Sequence, residues 1–242
     1  MIFLLAAAGL LAGVVAAVSG FGIGSLLTPV LALQLGTKLA VAAVAIPHAV
    51  GTAQRFWILR RHVDWRVVRT FGITSALGGL TGAVLHALAG SRALELVFGA
   101  LLVMAGIAEL TGWMRRVRWS HTAAWVAGAL SGFLGGLVGN QGGIRTAAML
   151  GYEVPKEDFV ATATAIALFV DAARLPVYLA TQWDGIAAAW PRVALTTGAV
   201  ILGTLLGARL LIRLTEGIFR RLIAVLLLGL GGYMLLGPGS PR

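Results

Sequence analysis

Apolar residues run along this chain in blocks of about 20, the length a helix needs to cross the hydrocarbon core of a bilayer. The blocks predict spans at 2–18, 39–58, 66–89, 92–112, 121–138, 157–181, 187–212 and 216–236. Polar residues gather in short stretches between them. Two further segments are apolar but interrupted by glycine: 19–35, which contains SGFGIGSLLTPVL, and 131–151, which contains SGFLGGLVGNQGGIRTAAML. Each follows the first long run of its half of the chain. In lipid every backbone group must find its partner inside the protein, so apolar blocks of this length predict helices. The expected fold class is an all-α polytopic membrane protein.

Composition strengthens that expectation. Of the 242 residues 59% are hydrophobic and only 12% charged, and the mean hydropathy is +0.92. Soluble domains run at roughly 45–50% apolar and about 25% charged. The net charge of +10 would suit a nucleic-acid partner if it formed one patch. Here the basic residues form short clusters between apolar runs, as cytoplasmic anchors do, so no nucleic-acid partner is expected. The chain has no cysteine, which excludes disulfides and thiolate chemistry. MIFLLAAAGLL lacks a basic lead-in and does not read as a cleaved signal peptide. Neither a nucleotide-binding P-loop nor an HExxH or GxSxG motif is present, so no enzymatic activity, metal or cofactor is expected.

The halves resemble each other. Ser19-Gly20-Phe21 recurs as Ser131-Gly132-Phe133, and Gly24 recurs near Gly142 and Gly143. Sliding the halves by about 119 residues places Arg55 on Arg174 and brings Asp64 and Asp184 into corresponding loops. This predicts two repeats, 1–114 and 115–242. Cytoplasmic loops carry the excess of Lys and Arg, and that bias tests the topology. If the first and fifth helices cross fully, the basic residues divide nine against six. Suppose instead that both dip in, turn at the glycines and return. One side then holds Arg60, Arg61, Arg66, Arg69, Arg115, Arg116, Arg118, Lys156, Arg213, Arg220 and Arg221, against Lys38, Arg92, Arg192 and Arg242 on the other, eleven to four. The second arrangement predicts inverted repeats, each with a Gly-rich re-entrant first helix, and both termini on the non-cytoplasmic side. Transporters built this way bind substrate near the midplane.

The chemistry concentrates at the broken segments. In Gly139-Asn140-Gln141-Gly142-Gly143-Ile144-Arg145-Thr146 a restarting helix offers free N–H groups to an anion. Asn140, Gln141 and Thr146 add neutral donors, and Arg145 adds a permanent planar cation. The plainer alternative has Asn140 and Gln141 capping helices and Arg145 snorkelling to the interface. Gly22, Gly24 and Ser25 of the first copy serve either as a site or as small packing positions. Asp171 and Arg174 share a helical face, as substrate and coupling groups or as a packing pair. Arg55 serves either the site or the nearby basic loop. His48 can carry a proton or act as a structural hydrogen-bonder. His86, Glu95 and Glu109 lie near span ends and read as interfacial. Seven tryptophans flank spans as an aromatic belt.

SGFGIGSLLTPVLAL, then GTKLAVAAVAIP and a basic loop with VDW, is similar to the first half of the TauE/SafE sulfite-exporter family. SGFLGGLVGNQGGIRTAAMLGYEVPKEDFVATATAI resembles its second repeat. The resemblance covers nearly the whole chain and implies a multi-pass transporter of small anions in a prokaryotic plasma membrane. Its implied cargo is sulfite, a sulfonate or a related sulfur oxyanion or organic acid. The first copy keeps Thr28-Pro29 but has one Gly24 where the family has a run of glycines. The second keeps Gly142-Gly143 but has Arg145 where the Pro is expected. The resulting expectation is a gradient-driven, alternating-access secondary transporter, with an anion channel or another membrane-embedded protein without a transport cycle as the alternative. Its partners are the substrate anion and the bilayer. A coupling proton or cation and a homo-oligomeric state stay open.

Overall fold

The computed structural model describes residues 2–20, 22–113, 121–140, 142, 145, 149, 156–210 and 216–236. These are helical almost throughout. The helices are α1 (Ile2–Ser19), α2 (Ile23–Leu35), α3 (Thr37–Leu59) and α4 (Trp65–Leu88). They continue with α5 (Ser91–Thr111), α6 (His121–Val138), α7 (Lys156–Ala188), α8 (Trp190–Leu210) and α9 (Glu216–Leu236). Asp64 starts α4 by accepting the Arg66 N–H at 2.9 Å, and a wider π turn follows over Val68–Gly72.

The pattern of burial inverts that of a soluble domain. Leu77, Leu88, Val126, Leu202, Val225 and Leu236 face outward, while His48, Thr52, Arg55, Arg145, Asp171 and Arg174 lie inside. Water would penalise that arrangement; lipid favours it. Among the described helices, Trp65–Leu88, Ser91–Thr111 and Asp158–Ala188 are long and apolar enough to cross a membrane. The polar residues His48, Thr52, Gln54 and Arg55 keep α3 outside that group. Trp57, Trp65, Trp113, Trp125, Trp183 and Trp190 are exposed near helix ends, as a membrane-interface belt requires.

Glycine fixes how the helices meet. In lipid, helices gain little from hiding apolar surface, so close backbone approach supplies the packing. Along α6, Gly128 meets Phe71, Gly132 meets Ser75 and Gly136 meets Gly79, so α6 runs parallel to α4. Along α1, Gly9 meets Thr196 and Gly13 meets Val200, so α1 runs parallel to α8. Gly99 meets Gly231 and Gly106 meets Ala224, which makes α5 and α9 antiparallel. Leu39 covers Gly185, His48 meets Asp171 and His62 meets Asp158, so α3 and α7 are antiparallel as well.

Two helices stop in the interior. Gly20 ends α1 at φ 75° and Gly139 ends α6 at φ 77°, a left-handed backbone that favours glycine. The two stops lie 119 residues apart. Ser131-Gly132-Phe133 sits inside α6, whereas Gly20 follows the end of α1. The tripeptide match therefore joins a helix end to a helix interior, whereas Gly20 and Gly139 share the same backbone conformation. The second break comes at Gly139, directly after the helix over 121–138, and Gly132, Gly135 and Gly136 lie within that helix against α4 and α7.

This packing makes a direct prediction. A Cβ at Gly132 would run into the Ser75 carbonyl oxygen, whereas Gly229 on α9 faces open space. Gly132→Ala should cost about 1–3 kcal/mol through overpacking, and Gly229→Ala should be neutral or slightly stabilising. Thermal unfolding of the two variants in detergent measures the difference; equal midpoints would refute the packing account.

Candidate functional site

A helix that ends away from water leaves carbonyls without partners. Here side chains from neighbouring helices meet them. At the end of α6, Arg174 Nη1 donates to the Gly135 carbonyl at 2.6 Å. The Tyr178 hydroxyl donates to the Gly136 carbonyl, and His86 Nδ1 to the Leu137 carbonyl at 2.8 Å. Three successive carbonyls are thus capped by α7 and α4. At the end of α1, Arg55 Nη1 donates to the Ala16 carbonyl, and Arg145 Nη2 to the Gly20 carbonyl at 3.1 Å. Gly20 N–H itself bonds the Ala16 carbonyl, so these two guanidiniums grip neighbouring points one helical turn apart.

The arginine clamps match across the halves. Arg55 reaches back 39 residues to Ala16, and Arg174 reaches back 39 residues to Gly135. A cation at a helix C-terminus also complements the dipole there.

One carboxylate anchors the centre. Asp171 Oδ1 accepts from Arg174 Nε at 2.9 Å and lies 2.8 Å from Arg174 Nη2. Its Oδ2 lies 2.7 Å from His48 Nδ1. A carboxylate only accepts, so Nδ1 of His48 carries the hydrogen. Thr52 Oγ1 stands 3.5 Å from the same nitrogen. All these groups are buried.

The two breaks also touch. A Cβ on Gly24 would collide with the Gly139 carbonyl oxygen, so only glycine permits this approach. Ser25 Oγ donates to Asn140 Oδ1 at 3.4 Å. Beside this contact, Arg145 Nε and Nη1, Arg55 Nε and the Thr28 hydroxyl are buried without a hydrogen-bond partner among the described residues. Native structures rarely leave such groups unmet unless a ligand or water serves them.

The structure therefore brings Gly24, Ser25, His48, Arg55, Asn140, Arg145, Asp171 and Arg174 together. Arg145 is interior and does not snorkel, and Arg55 points inward to α1, not to the basic loop. Gly22 shapes the backbone turn at φ 127°, packed on Val15. Gly142 is buried. Gln141, Gly143 and Thr146 lie outside the described residues. Tyr178 was not legible as a site residue, although Asp171, Arg174 and Tyr178 fall on one helical stripe. His86 and Glu95 differ from their interfacial reading. His86 is fully buried against Tyr178, with ring centroids 4.9 Å apart, and Glu95 is buried and bonds Arg92 at 3.0 Å. Distance from a span end does not report which face of a helix a residue occupies.

The family model described as Sulfite exporter TauE/SafE matches residues 5–234 of the chain. No curated protein and no solved structure matches it.

The Asp171–Arg174 geometry predicts a pattern of stability. Asp171→Leu leaves Arg174 buried with its charge uncompensated, a loss of about 3–5 kcal/mol. Asp171→Leu combined with Arg174→Met should be less damaging than Asp171→Leu alone, although the Gly135 carbonyl loses its cap. Unfolding midpoints in detergent for the two singles and the double decide it. Additive losses would mean that the pair does not act as a unit.

Proposed function

The chain belongs to the TauE/SafE family of membrane transporters, and from that premise we propose that it carries a small sulfur-bearing anion, such as sulfite or a sulfonate, through the site between its two helix breaks. The observation that carries this reading is the set of unpartnered guanidinium N–H groups on Arg145 and Arg55. Desolvated cations with open donors in a water-poor interior suit an oxyanion, and charge-assisted bonds are strong there. Asn140, Gln141, Gly142, Gly143, Thr146 and Arg174 complete the site with Gly22, Gly24 and Ser25. The protein works in the plasma membrane of a prokaryote.

Transport proceeds by alternating access of two inverted repeats, 1–114 and 115–242. Several observations favour this. The clamps Arg55–Ala16 and Arg174–Gly135 have the same reach. The breaks Gly20 and Gly139 share a left-handed backbone. The antiparallel course of α3 against α7 and of α5 against α9 is what an axis in the membrane plane requires. In this reading α1–α2 and α6 with the segment after it are re-entrant hairpins entering from opposite faces, and both termini are non-cytoplasmic.

Coupling to a gradient rests on His48 and Asp171. A histidine hydrogen-bonded to a buried carboxylate, next to the substrate cations, can take up or release a proton as the site fills and empties.

Two experiments test the reading. Losing one charge-assisted bond costs about 1.5–3 kcal/mol, roughly a ten- to hundredfold loss of affinity. Arg145→Gln should therefore weaken sulfite binding by that factor, and Arg145→Lys should recover only part because the planar fork is gone. Unchanged affinity in Arg145→Gln would falsify the site. For topology, the cysteine-free chain allows single reporters: Ile2→Cys should react with an impermeant thiol reagent from outside the cell and Arg116→Cys only after permeabilisation. Labelling of both from one side would exclude the re-entrant arrangement.

A further inference from the structure

Three guanidiniums and one carboxylate occupy the buried centre among the described residues: Arg55, Arg145 and Arg174 against Asp171, each with at most 4% of its surface exposed. Glu95 is the other buried acid there, and it bonds Arg92 at the start of α5. His48 adds no negative charge in either protonation state. Asp171 is consumed by Arg174, which it meets through Nε and Nη2. Arg55 and Arg145 are left as two full positive charges, gripping the Ala16 and Gly20 carbonyls one helical turn apart at the end of α1.

Carbonyl dipoles complement these two cations only in part. The partial negative end of α1 at the first break is followed three residues later by the partial positive start of α2, so the two helix ends offset each other to first order. An uncompensated buried ion costs several kcal/mol even after relaxation. Two such ions a helical turn apart also repel each other.

The halves differ at one informative position. Arg174 has Asp171 three residues before it, one turn along the same face. Arg55 has Thr52 at that place, fully buried and neutral, and Arg55 Nε has no partner where Arg174 Nε has a carboxylate oxygen. The first half thus presents a clamp with its counter-charge missing, and Arg145 adds a second cation beside the gap.

We infer that the substrate is a divalent oxyanion, which supplies the two negative charges that the site lacks and sits between Arg55 Nε, Arg145 Nε and Nη1, and the Thr52 hydroxyl. This rests on the anion-transport reading above and narrows it. Sulfite in its dianionic form, thiosulfate and sulfate belong to the favoured class; alkyl sulfonates and monocarboxylates, with one charge, leave one guanidinium unmatched.

The test compares ions of similar shape and different charge on the purified protein in nanodiscs, by calorimetry and by ligand-induced thermal shift. Sulfate and thiosulfate are the dianions, methanesulfonate and acetate the monoanions. The wild type should bind the dianions at least about tenfold more tightly, the equivalent of one modest ionic contact. Thr52→Asp places a carboxylate beside Arg55 as Asp171 stands beside Arg174, and Arg145→Gln removes one cation. Both should bring the dianion-to-monoanion ratio close to or below one. Arg145→Lys should weaken both classes yet keep the ratio. Because the ratio is taken within each variant, a reduced folded fraction cancels, and Thr52→Asp serves where Arg145→Gln does not fold. Methanesulfonate binding as tightly as sulfate in the wild type, or a ratio unmoved in Thr52→Asp and Arg145→Gln, overturns the divalent assignment while leaving an anion site in place. Binding of no anion of either charge overturns the site itself.

Discussion

A helix that stops inside a bilayer must have its last carbonyls met by protein, because lipid offers no donor. That constraint organises the centre of this molecule. α1 and α6 both stop short at a left-handed glycine, and each stop requires a long donor from a neighbouring helix. Arginine suits the task because its fork reaches one carbonyl while other N–H groups remain for a second partner. Arg174 spends its remaining donors on Asp171. Arg55 and Arg145 keep theirs. The side chains that cap the two helix ends are therefore the same ones that the proposed anion site uses.

The rest of the fold serves to bring the two ends together. Gly24 must be glycine for α2 to approach the Gly139 carbonyl, and the glycine ridges of α4, α6, α1 and α8 bring those helices close enough for side chains to span the gap. The outer faces carry the apolar surface that lipid requires. Removing a glycine from a ridge changes helix separation, and a cap that must reach a particular carbonyl has little tolerance for that. Packing and chemistry are coupled here through distance.

The sequence made the fold class legible because apolar block length is a direct physical requirement of the bilayer. It also marked the neighbourhood of the breaks, since glycine clusters inside apolar runs serve either a helix break or close helix packing. Arg55, Arg145, Asp171 and Arg174 stood out because a charge in an apolar block needs a reason. What the sequence withheld is rotational and pairwise information. His86 lies close to a span end yet faces the interior, because its helix turns that face toward α6 and α7. Tyr178 looks like any interfacial tyrosine until its hydroxyl is seen on the Gly136 carbonyl. Arg55 and Arg174, 119 residues apart in the sequence, each reach back 39 residues to a helix end, whereas Ser131-Gly132-Phe133 lies inside a helix. Small residues recur wherever helices pack closely, so they align by chance; an arginine that must reach a carbonyl does not.

The proposed duplication accounts for a site that is both symmetric and selective. On the repeat reading, each half supplies a broken helix and its arginine clamp, so the scaffold needs one solution used twice. Chemistry then requires that the two copies differ. A carboxylate beside both clamps would neutralise the centre and leave nothing for an anion to do. A carboxylate beside neither would bury three cations together, at a cost no single small anion could offset. Asp171 beside Arg174 with Thr52 beside Arg55 lies between these limits: one clamp is closed by a carboxylate, and the other is the one that the proposed function leaves to the substrate. His48, bonded to the closing carboxylate, sits where a proton would change the charge that the arriving anion meets. On the proposed function, specificity would reside in this asymmetry between the halves, and the symmetry would serve the transport cycle.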